Sequence, residues 1–264
     1  MDLQLRGKRA VVTGASRGIG LAIAEGLAVE GVDVALVARG ASQLSAAATR
    51  VSRHGTVVLS SPADTRDDDA VRAMVAHVVA ELGGVDVLVN AAARPAVGPV
   101  PPLADLTDRD LADELDTKVV GYLRCARAVA PHMIAAGWGR IINIGGLAAR
   151  RPGSLVGSVR NVAVAAMTKN LADELGPAGI TVNVVHPGPT ITERTEELIA
   201  QRMATDGVSA EEAEHAMAAG TTTGRLVRAA EVADVVTFLA SPRSAAVTGD
   251  AIAVGGGMRG SIHY

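Results

Sequence analysis

A glycine-rich turn between a strand pattern and a helix pattern places the strongest constraint on how this chain folds. The β-branched run Arg9–Thr13 leads directly into Thr13–Gly20, which reads TGASRGIG. Gly14 permits a tight turn, Gly18 lets the backbone approach a phosphate, and Gly20 lets the helix pack on the strand. Backbone N–H groups at the helix N-terminus then face an anion. Glycines also occur in plain turns, but in this strand–turn–helix context they predict a dinucleotide site.

The rest of the chain alternates short β-branched runs with longer helical patterns. The predicted strands are Arg9–Thr13, Val34–Ala38, Thr56–Ser60, Val85–Val89, Arg140–Ile144, Ile180–Val185 and Ala251–Val254. The predicted helices are Gly18–Glu30, Ala41–His54, Asp67–Leu82, Asp108–Ala136, Ser154–Leu175 and Glu231–Ala240, with a polar segment over Thr190–Gly220. This alternation predicts an α/β fold of the Rossmann type, with a doubly wound, mostly parallel sheet in one domain over residues 1–264.

Composition narrows the possible partners and location. The net charge of −3 gives no basic surface for nucleic acid. The N-terminus lacks the apolar run of a signal peptide, and no apolar stretch is long enough to span a membrane. Cys125 is the only cysteine, so it forms no intramolecular disulfide and no cysteine metal cluster. We therefore expect a cytoplasmic protein without a metal site, in which Cys125 is a buried small hydrophobe.

The end of the second predicted strand indicates which dinucleotide is preferred. A site that prefers NAD places an acid there, bonded to the ribose 2′-hydroxyl. Here the strand ends in Val37, Ala38 and Arg39, without an acid. Arg17 and Arg39 could converge on a 2′-phosphate, which predicts NADP(H) rather than NAD(H). The alternative is that Arg39 is a solvated loop residue.

Over nearly its whole length the chain resembles a short-chain dehydrogenase/reductase of the compact type with a TGxxxGxG turn. Besides the turn, the similar segments are Asp64, Asn90–Ala92, Arg140–Ile144, Thr168–Ala172, Val182–Gly188, Thr248–Asp250 and Gly255–Gly257. Together with the strand-end arginine, the resemblance implies cofactor contacts at Gly14, Ser16, Arg17, Gly18, Ile19, Gly20, Arg39, Asp64, Asn90, Pro187 and Gly188. Family members reduce carbonyls with an asparagine, a serine, a tyrosine and a lysine, of which the tyrosine is the acid–base.

At the four matching positions this sequence differs from the family. The serine position is Gly146, the tyrosine position Gly157, the lysine position Asn161 and the asparagine position Lys118. No Tyr-x-x-x-Lys occurs anywhere, since the tyrosines are Tyr122 and Tyr264 and the lysines Lys8, Lys118 and Lys169. The resemblance therefore implies the fold and the cofactor, and it predicts that the usual acid is missing.

Several side chains are candidates for the missing chemistry. A desolvated Lys118 could serve as acid, base or Schiff-base amine, or it could be a solvated lysine on a long helix. Asn161 could bond the cofactor ribose without ionising. Arginines after the fourth and fifth strands could hold an anionic substrate, namely Arg94, Arg150 and Arg151. We interpret Ser154 as a helix N-cap and His186 as a histidine bonded to backbone.

The resemblance also implies a substrate lid around residues 190–222 and a homodimer or homotetramer. The chain ends in an aromatic, Tyr264, which could anchor a subunit interface or reach a neighbouring site. Three functions stay open. The chain is an NADP(H) oxidoreductase for a small carbonyl or hydroxyl substrate with a substitute acid, a non-redox enzyme on this fold, or a non-catalytic protein that senses NADP(H) or a ligand. A methyltransferase is disfavoured by the segments after the turn.

Overall fold

A seven-stranded parallel sheet forms the centre of the protein. The computed structural model describes residues 1–94 and 100–259. The main-sheet strands are β1 Arg9–Thr13, β2 Asp33–Ala38, β3 Val58–Pro62, β4 Val87–Asn90, β5 Gly139–Ile144, β6 Ile180–Pro187 and β9 Ala251–Val254, and β7 Thr190–Ile191 pairs with β8 Val227–Arg228. The helices are α1 Gly18–Val29, α2 Ala41–Val51, α3 Asp68–Leu82, α4 Asp108–Leu115, α5 Gly121–Ala136, α6 Leu155–Leu175, α7 Glu193–Asp206, α8 Ala210–Ala218 and α9 Ala229–Ala240.

The strand order creates a crevice beside the glycine turn. The order across the sheet is β3-β2-β1-β4-β5-β6-β9, and all neighbouring strands are parallel. The chain winds from β1 towards β3 and then returns to β4 on the other side of β1. At such a switch point the loops after two adjacent strands diverge and leave a crevice at the carboxyl edge. The predicted fold class is therefore confirmed, and the glycine turn borders this crevice.

Helices cover both faces of the sheet. Side chains alternate along β1, so that Ala10 and Val12 belong to the core under α1, α2 and α9, whereas Val11 belongs to the core under α3, α5 and α6. Cys125 of α5 is fully buried in that second core, as predicted. Small side chains let α1 and α9 pack closely, because Gly26 faces Ala233 and Thr237.

A chain of buried polar groups fixes the carboxyl ends of β4 and β5 against α6. Asn90 donates from Nδ2 to Oδ1 of Asn143 at 2.9 Å, and Asn143 donates to the Thr168 hydroxyl at 3.0 Å. Thr168 in turn donates to the carbonyl of Val164 at 2.8 Å. All three polar side chains are fully buried, so each bond compensates a group that has lost water.

Some of the predicted strand ends were wrong, because pairing with the neighbouring strand determines where a strand begins and ends. Strand three lies at Val58–Pro62 rather than Thr56–Ser60, since Ser61 and Pro62 pair with Val37 and Ala38 of β2. Strand four begins at Val87 rather than Val85. Strand six continues to Pro187, because its last residues pair with β9. Helix ends differ by one to three residues, and His54 belongs to a short 3₁₀ turn after α2.

The predicted helix Asp108–Ala136 is interrupted. Its middle, Asp116–Val120, is a π-helical turn between α4 and α5. Such turns widen the helix by one residue and frequently occur at functional sites. Lys118 lies in this turn.

The predicted polar segment after β6 contains two helices, α7 and α8, with capping boxes at both N-termini. Exposed charged side chains cover much of α7, which agrees with the predicted polar character of this segment. The assignment of residues 190–222 as a lid stays a prediction. No helix within residues 1–94 and 100–259 is long and apolar enough to cross a membrane.

Candidate active site

A cleft of about 820 Å³ lies along the carboxyl edge of β1, β2, β4, β5 and β6. Ten of the eleven predicted cofactor residues line it, from the glycine turn to Arg39, Asp64 and the Pro187–Gly188 end of β6. The exception is Asn90, whose amide is fully buried behind the wall in the chain with Asn143. Lys118 also lines the cleft. The residues that the sequence predicts for cofactor and chemistry are therefore largely brought to one place.

The geometry of the glycine turn fits an approaching phosphate. A Cβ on Gly14 would lie 2.8 Å from backbone atoms of Ala91 and Ala92, so the turn and the loop after β4 touch through backbone. A Cβ on Gly20 would collide with the carbonyl of Gly14. Gly18 is different, because its φ is +58° and the nearest atom to an added Cβ is 3.6 Å away. Two glycines thus permit close packing, and the third leaves backbone N–H groups of α1 accessible from the cleft.

Charged side chains surround the far end of the cleft, beside β2 and β3. Arg17, Arg39 and Arg66 all line it, together with Asp64. Asp64 is already paired: its Oδ2 accepts from Nη2 of Arg66 at 2.8 Å, and its Oδ1 accepts from the Arg66 backbone N–H at 3.0 Å. These bonds lower the pKa of Asp64 below its ordinary value, with a further contribution from the charge of Arg39. This end of the cleft therefore has three guanidinium groups and one carboxylate.

A carboxylate from α7 approaches the glycine turn. The backbone N–H of Gly18 donates to Oε1 of Glu193 at 3.4 Å, and Thr192 is the neighbour closest to Gly18's missing Cβ. The Gly18 N–H, which could donate to a phosphate of the cofactor, thus donates to the Glu193 carboxylate of the protein itself. Sequence reasoning missed Glu193, because 175 residues separate it from Gly18 and no local pattern indicates the contact.

Histidine 186 supports the loop after β5. The backbone N–H of Gly146 donates to Nδ1 of His186 at 3.0 Å, and the ring occupies the space that a side chain on Gly145 would need. Burial lowers the pKa of His186 to about 4, with help from the charges of Arg150 and Lys118. The ring is neutral near pH 7 and acts as an acceptor, which agrees with the interpretation of His186 as a histidine bonded to backbone.

Lysine 118 is the buried cation of the site. Only 4% of its surface is exposed, and Nζ donates to the carbonyl of Gly145 at 2.8 Å. It forms no ion pair with a carboxylate in the part of the chain that the structure describes. Its pKa is lowered to about 7, mainly by burial and also by the charge of Arg160, while the charge of Glu114 opposes the shift. The structure thus excludes the alternative of a solvated lysine.

Asn161 and Gly146 lie together behind the Lys118 contact. A Cβ on Gly146 would be 3.0 Å from Nδ2 of Asn161, and Oδ1 of this buried amide has no hydrogen-bond partner among the described residues. Asn161 does not line the cleft. The next residue, Arg160, forms an ion pair with Glu114 and joins α6 to α4.

Gly157 lies in the first turn of α6, against its cap. The Ser154 hydroxyl accepts from the Gly157 N–H at 3.0 Å, which confirms the predicted N-cap. A Cβ on Gly157 would be 2.9 Å from that same hydroxyl. A side chain at position 157 would therefore require the Ser154 hydroxyl to move.

The remaining candidates have other partners. Tyr122 is fully buried and donates to the carbonyl of Ile144 at 3.0 Å, and burial raises the pKa of its hydroxyl. Tyr264 lies outside the described residues. Of the three arginines considered for an anionic substrate, only Arg94 lines the cleft, where it pairs with Asp113 at 2.7 Å. Arg150 bonds the carbonyl of Ala251, and Arg151 does not line the cleft.

Comparisons with known proteins agree with this architecture. The family described as enoyl-(acyl carrier protein) reductase matches residues 14–259. Short-chain reductase protein NovJ of Streptomyces niveus is 38% identical over 94% of this chain and 92% of its own length. L-sorbose reductase of Gluconobacter frateurii, solved with NADPH and L-sorbose, has a TM-score of 0.93 and 32% identity, covering 99% of this chain and 100% of that one. An NAD⁺-bound xylitol dehydrogenase has a TM-score of 0.87 and 29% identity, covering 96% and 100%.

The chain belongs to the short-chain dehydrogenase/reductase family. The cleft of this family member includes three charged residues that sequence reasoning missed, Arg66, Glu193 and Arg194. For Arg66 a local signal exists, because it follows Asp64 by two residues and closes a turn on that carboxylate. The contact between Glu193 and Gly18 arises only in the tertiary structure.

The burial of Lys118 predicts a pH-dependent stability. A lysine in the unfolded chain has a pKa near 10.5, whereas the folded-state pKa is about 7. Below pH 7 both states are protonated and the folded state bears the full cost of the buried charge. This cost is relieved as pH rises from about 7 to 10.5. Chemical denaturation should show the unfolding free energy of the wild type rising over this range relative to Lys118→Met. The same comparison with Lys169→Met, at an exposed lysine, should show no such trend, and a flat difference for Lys118→Met would contradict the assigned burial.

Proposed function

We propose that this chain binds NADP(H) and catalyses hydride transfer between it and a small carbonyl or hydroxyl substrate, with Lys118 as the proton donor in the direction of reduction. The observation that carries this proposal is Lys118 itself, a buried amine on the cleft wall with a pKa of about 7. General acids are most effective when their pKa lies near the working pH.

The cofactor assignment rests on the shape and charge of the cleft. The α1 N-terminus offers backbone donors to a pyrophosphate, and Gly18 leaves space for it. Arg17 and Arg39 supply guanidinium groups for a 2′-phosphate, and β2 ends without the acid that an NAD site would present. The NADPH-bound reductase with the same fold supports this preference, although an NAD⁺-bound relative also exists.

In the proposed reaction the cofactor handles the hydride and the protein handles the proton. The bound nicotinamide supplies or accepts the hydride. In reduction, the Lys118 ammonium gives a proton to the substrate oxygen as that oxygen gains negative charge, and the neutral amine remains. In oxidation, the neutral amine accepts the proton of the substrate hydroxyl. The Gly145 carbonyl orients Nζ throughout, at 2.8 Å. The assignment of Asn161 to the cofactor ribose stays a prediction.

The use of a substitute acid follows from the residues at the family's catalytic positions. We assign these positions to Gly146, Gly157, Asn161 and Lys118, so that neither a serine nor a tyrosine hydroxyl is available.

The first experiment measures binding and turnover together. Fluorescence titration should show tighter binding of NADPH than of NADH. A panel of small ketones, aldehydes and sugars, followed by NADPH oxidation, should then give turnover that falls as pH rises above about 7, because the ammonium of Lys118 is lost. Lys118→Met should reduce kcat by roughly a hundredfold to ten-thousandfold, the usual contribution of a positioned acid, and leave NADPH binding intact. Lys169→Met is the matched control and should retain full turnover. Equal turnover in the two variants would refute the role of Lys118.

A specific observation also favours a non-catalytic role in sensing NADP(H). Tyr122 is fully buried and its hydroxyl donates to the carbonyl of Ile144, so no tyrosine of the described residues can serve as acid. Tight NADPH binding without oxidation by any member of the panel favours this alternative, or a non-redox reaction that uses the same amine.

The Glu193 contact predicts competition with the cofactor. Its carboxylate lies on the N–H of Gly18, so a pyrophosphate must displace or face it. Glu193→Gln should tighten NADPH binding by roughly two- to fivefold, the size of one charge interaction at an exposed helix N-terminus. Glu196→Gln, on the same helix and also exposed, is the control for general charge effects. Equal tightening in both variants, or weaker binding in Glu193→Gln, would contradict a competing role.

We also propose a homo-oligomer that buries one face of α6. Leu155, Val159 and Val162 follow the helical period and are 52%, 41% and 51% exposed. Exposed apolar faces of this kind frequently mark subunit contacts. Sedimentation velocity should show a dimer or tetramer that Val159→Glu dissociates. Val29→Glu, at an exposed valine of α1, should leave the oligomer unchanged, and a monomeric wild type would refute the proposal.

A further inference from the structure

The paired groups Asp64 and Arg66 lie beside the arginine that is proposed to hold the 2′-phosphate. Ala38 pairs with Pro62, and Ala63 donates its backbone N–H to the Ala38 carbonyl at 3.1 Å. The residues that follow β2 and β3 therefore begin side by side at the cleft. Arg39 and Asp64 are brought close enough for the charge of one to act on the other.

Asp64 has two cations near it and bonds only one. Arg66 bonds it through its backbone N–H and through two guanidinium nitrogens, with Nε 3.3 Å from Oδ1 and 3.2 Å from Oδ2 and Nη2 2.8 Å from Oδ2. Arg39 has no carboxylate within 4.0 Å among residues 1–94 and 100–259. The guanidinium of Arg39 is thus left unpaired at the cleft.

The pairing of Asp64 with Arg66 rather than with Arg39 matters because Asp64 could weaken the binding of a phosphate in two ways. A phosphate monoester carries about −1.5 to −2 charges at neutral pH, so an unneutralised carboxylate in the same end of the cleft would repel it. Without Arg66, the other cation that acts on Asp64 is Arg39, and a pair between them would occupy the group that a 2′-phosphate needs. NADH has no 2′-phosphate, so neither the repulsion by Asp64 nor the loss of Arg39 to a pair with Asp64 would weaken its binding in this way.

We propose that Arg66 is a positioning residue for NADP(H) selectivity: it holds Asp64, and thereby keeps Arg39 free for the 2′-phosphate. The proposal rests on the proposed binding of NADP(H) and adds a residue that acts through Asp64. The alternative is an exposed ion pair that only closes the turn between β3 and α3. Such pairs contribute little, and their loss would not distinguish two dinucleotides.

The test is a set of variants titrated with NADPH and NADH by fluorescence, without reference to turnover. Arg66→Ala should weaken NADPH binding about tenfold and change NADH binding less than about threefold. Arg39→Ala should show the same selectivity loss. The decisive variant is the double substitution Asp64→Asn with Arg66→Ala, which removes the bare carboxylate. It should return the ratio of NADPH to NADH affinity to within about threefold of the wild-type ratio, because loss of the Asp64 contact weakens both dinucleotides alike. Arg66→Lys, which keeps the charge, should also rescue most of it.

Arg72→Ala is the matched control, because Arg72 pairs with Asp68 on α3 and does not line the cleft. It should leave both affinities unchanged. Equal weakening of both dinucleotides by Arg66→Ala, no weakening, or no recovery in the double variant would overturn the positioning role while leaving NADP(H) binding in place. Failure of the wild type to bind NADPH would instead overturn the proposed function, so the two failures are distinguishable.

Discussion

The close approach of Gly14 to the backbone after β4 is the constraint on which the rest of the cleft depends. At 2.8 Å from an added Cβ, the backbone of Ala91 and Ala92 leaves no room for a side chain. The hydroxyl of Thr13 accepts the N–H groups of both residues, at 3.1 and 3.2 Å, and holds the two loops together. The α1 N-terminus is therefore fixed relative to β4, and the crevice at the switch point has a rigid wall.

The second constraint is the burial of Lys118, which has no carboxylate partner among the residues that the structure describes. Burying a cation costs free energy, and here a single carbonyl, that of Gly145, accepts from Nζ. The π-helical turn between α4 and α5 places Lys118 at this depth, while His186 supports the neighbouring backbone. Groups whose pKa is strongly shifted in a cleft frequently serve in catalysis, which is why the amine carries the functional proposal.

Charged side chains near the glycine turn and Lys118 interact in pairs, and the fold places the members of several pairs together from distant parts of the chain. Arg160 of α6 pairs with Glu114 of α4, and the α7 carboxylate of Glu193 reaches the first turn of α1. Asp64 and Arg66 are a local pair, but their effect depends on Arg39 after the neighbouring strand. Electrostatics in the cleft therefore follow from strand order as much as from residue type.

Local patterns were sufficient to predict the sheet, the covering helices, the glycine turn, the cap at Ser154 and the burial of Cys125, because period, turn chemistry and capping act over a few residues. They also established that no Tyr-x-x-x-Lys exists in this chain. Strand ends needed the partner strand, as in β3 and β6. Only the tertiary structure decided that Lys118 is desolvated, that Asn90 lies behind the cleft wall, and that Arg66 rather than Arg39 holds Asp64. Burial and charge pairing depend on residues far apart in sequence, and no local pattern specifies which of them meet.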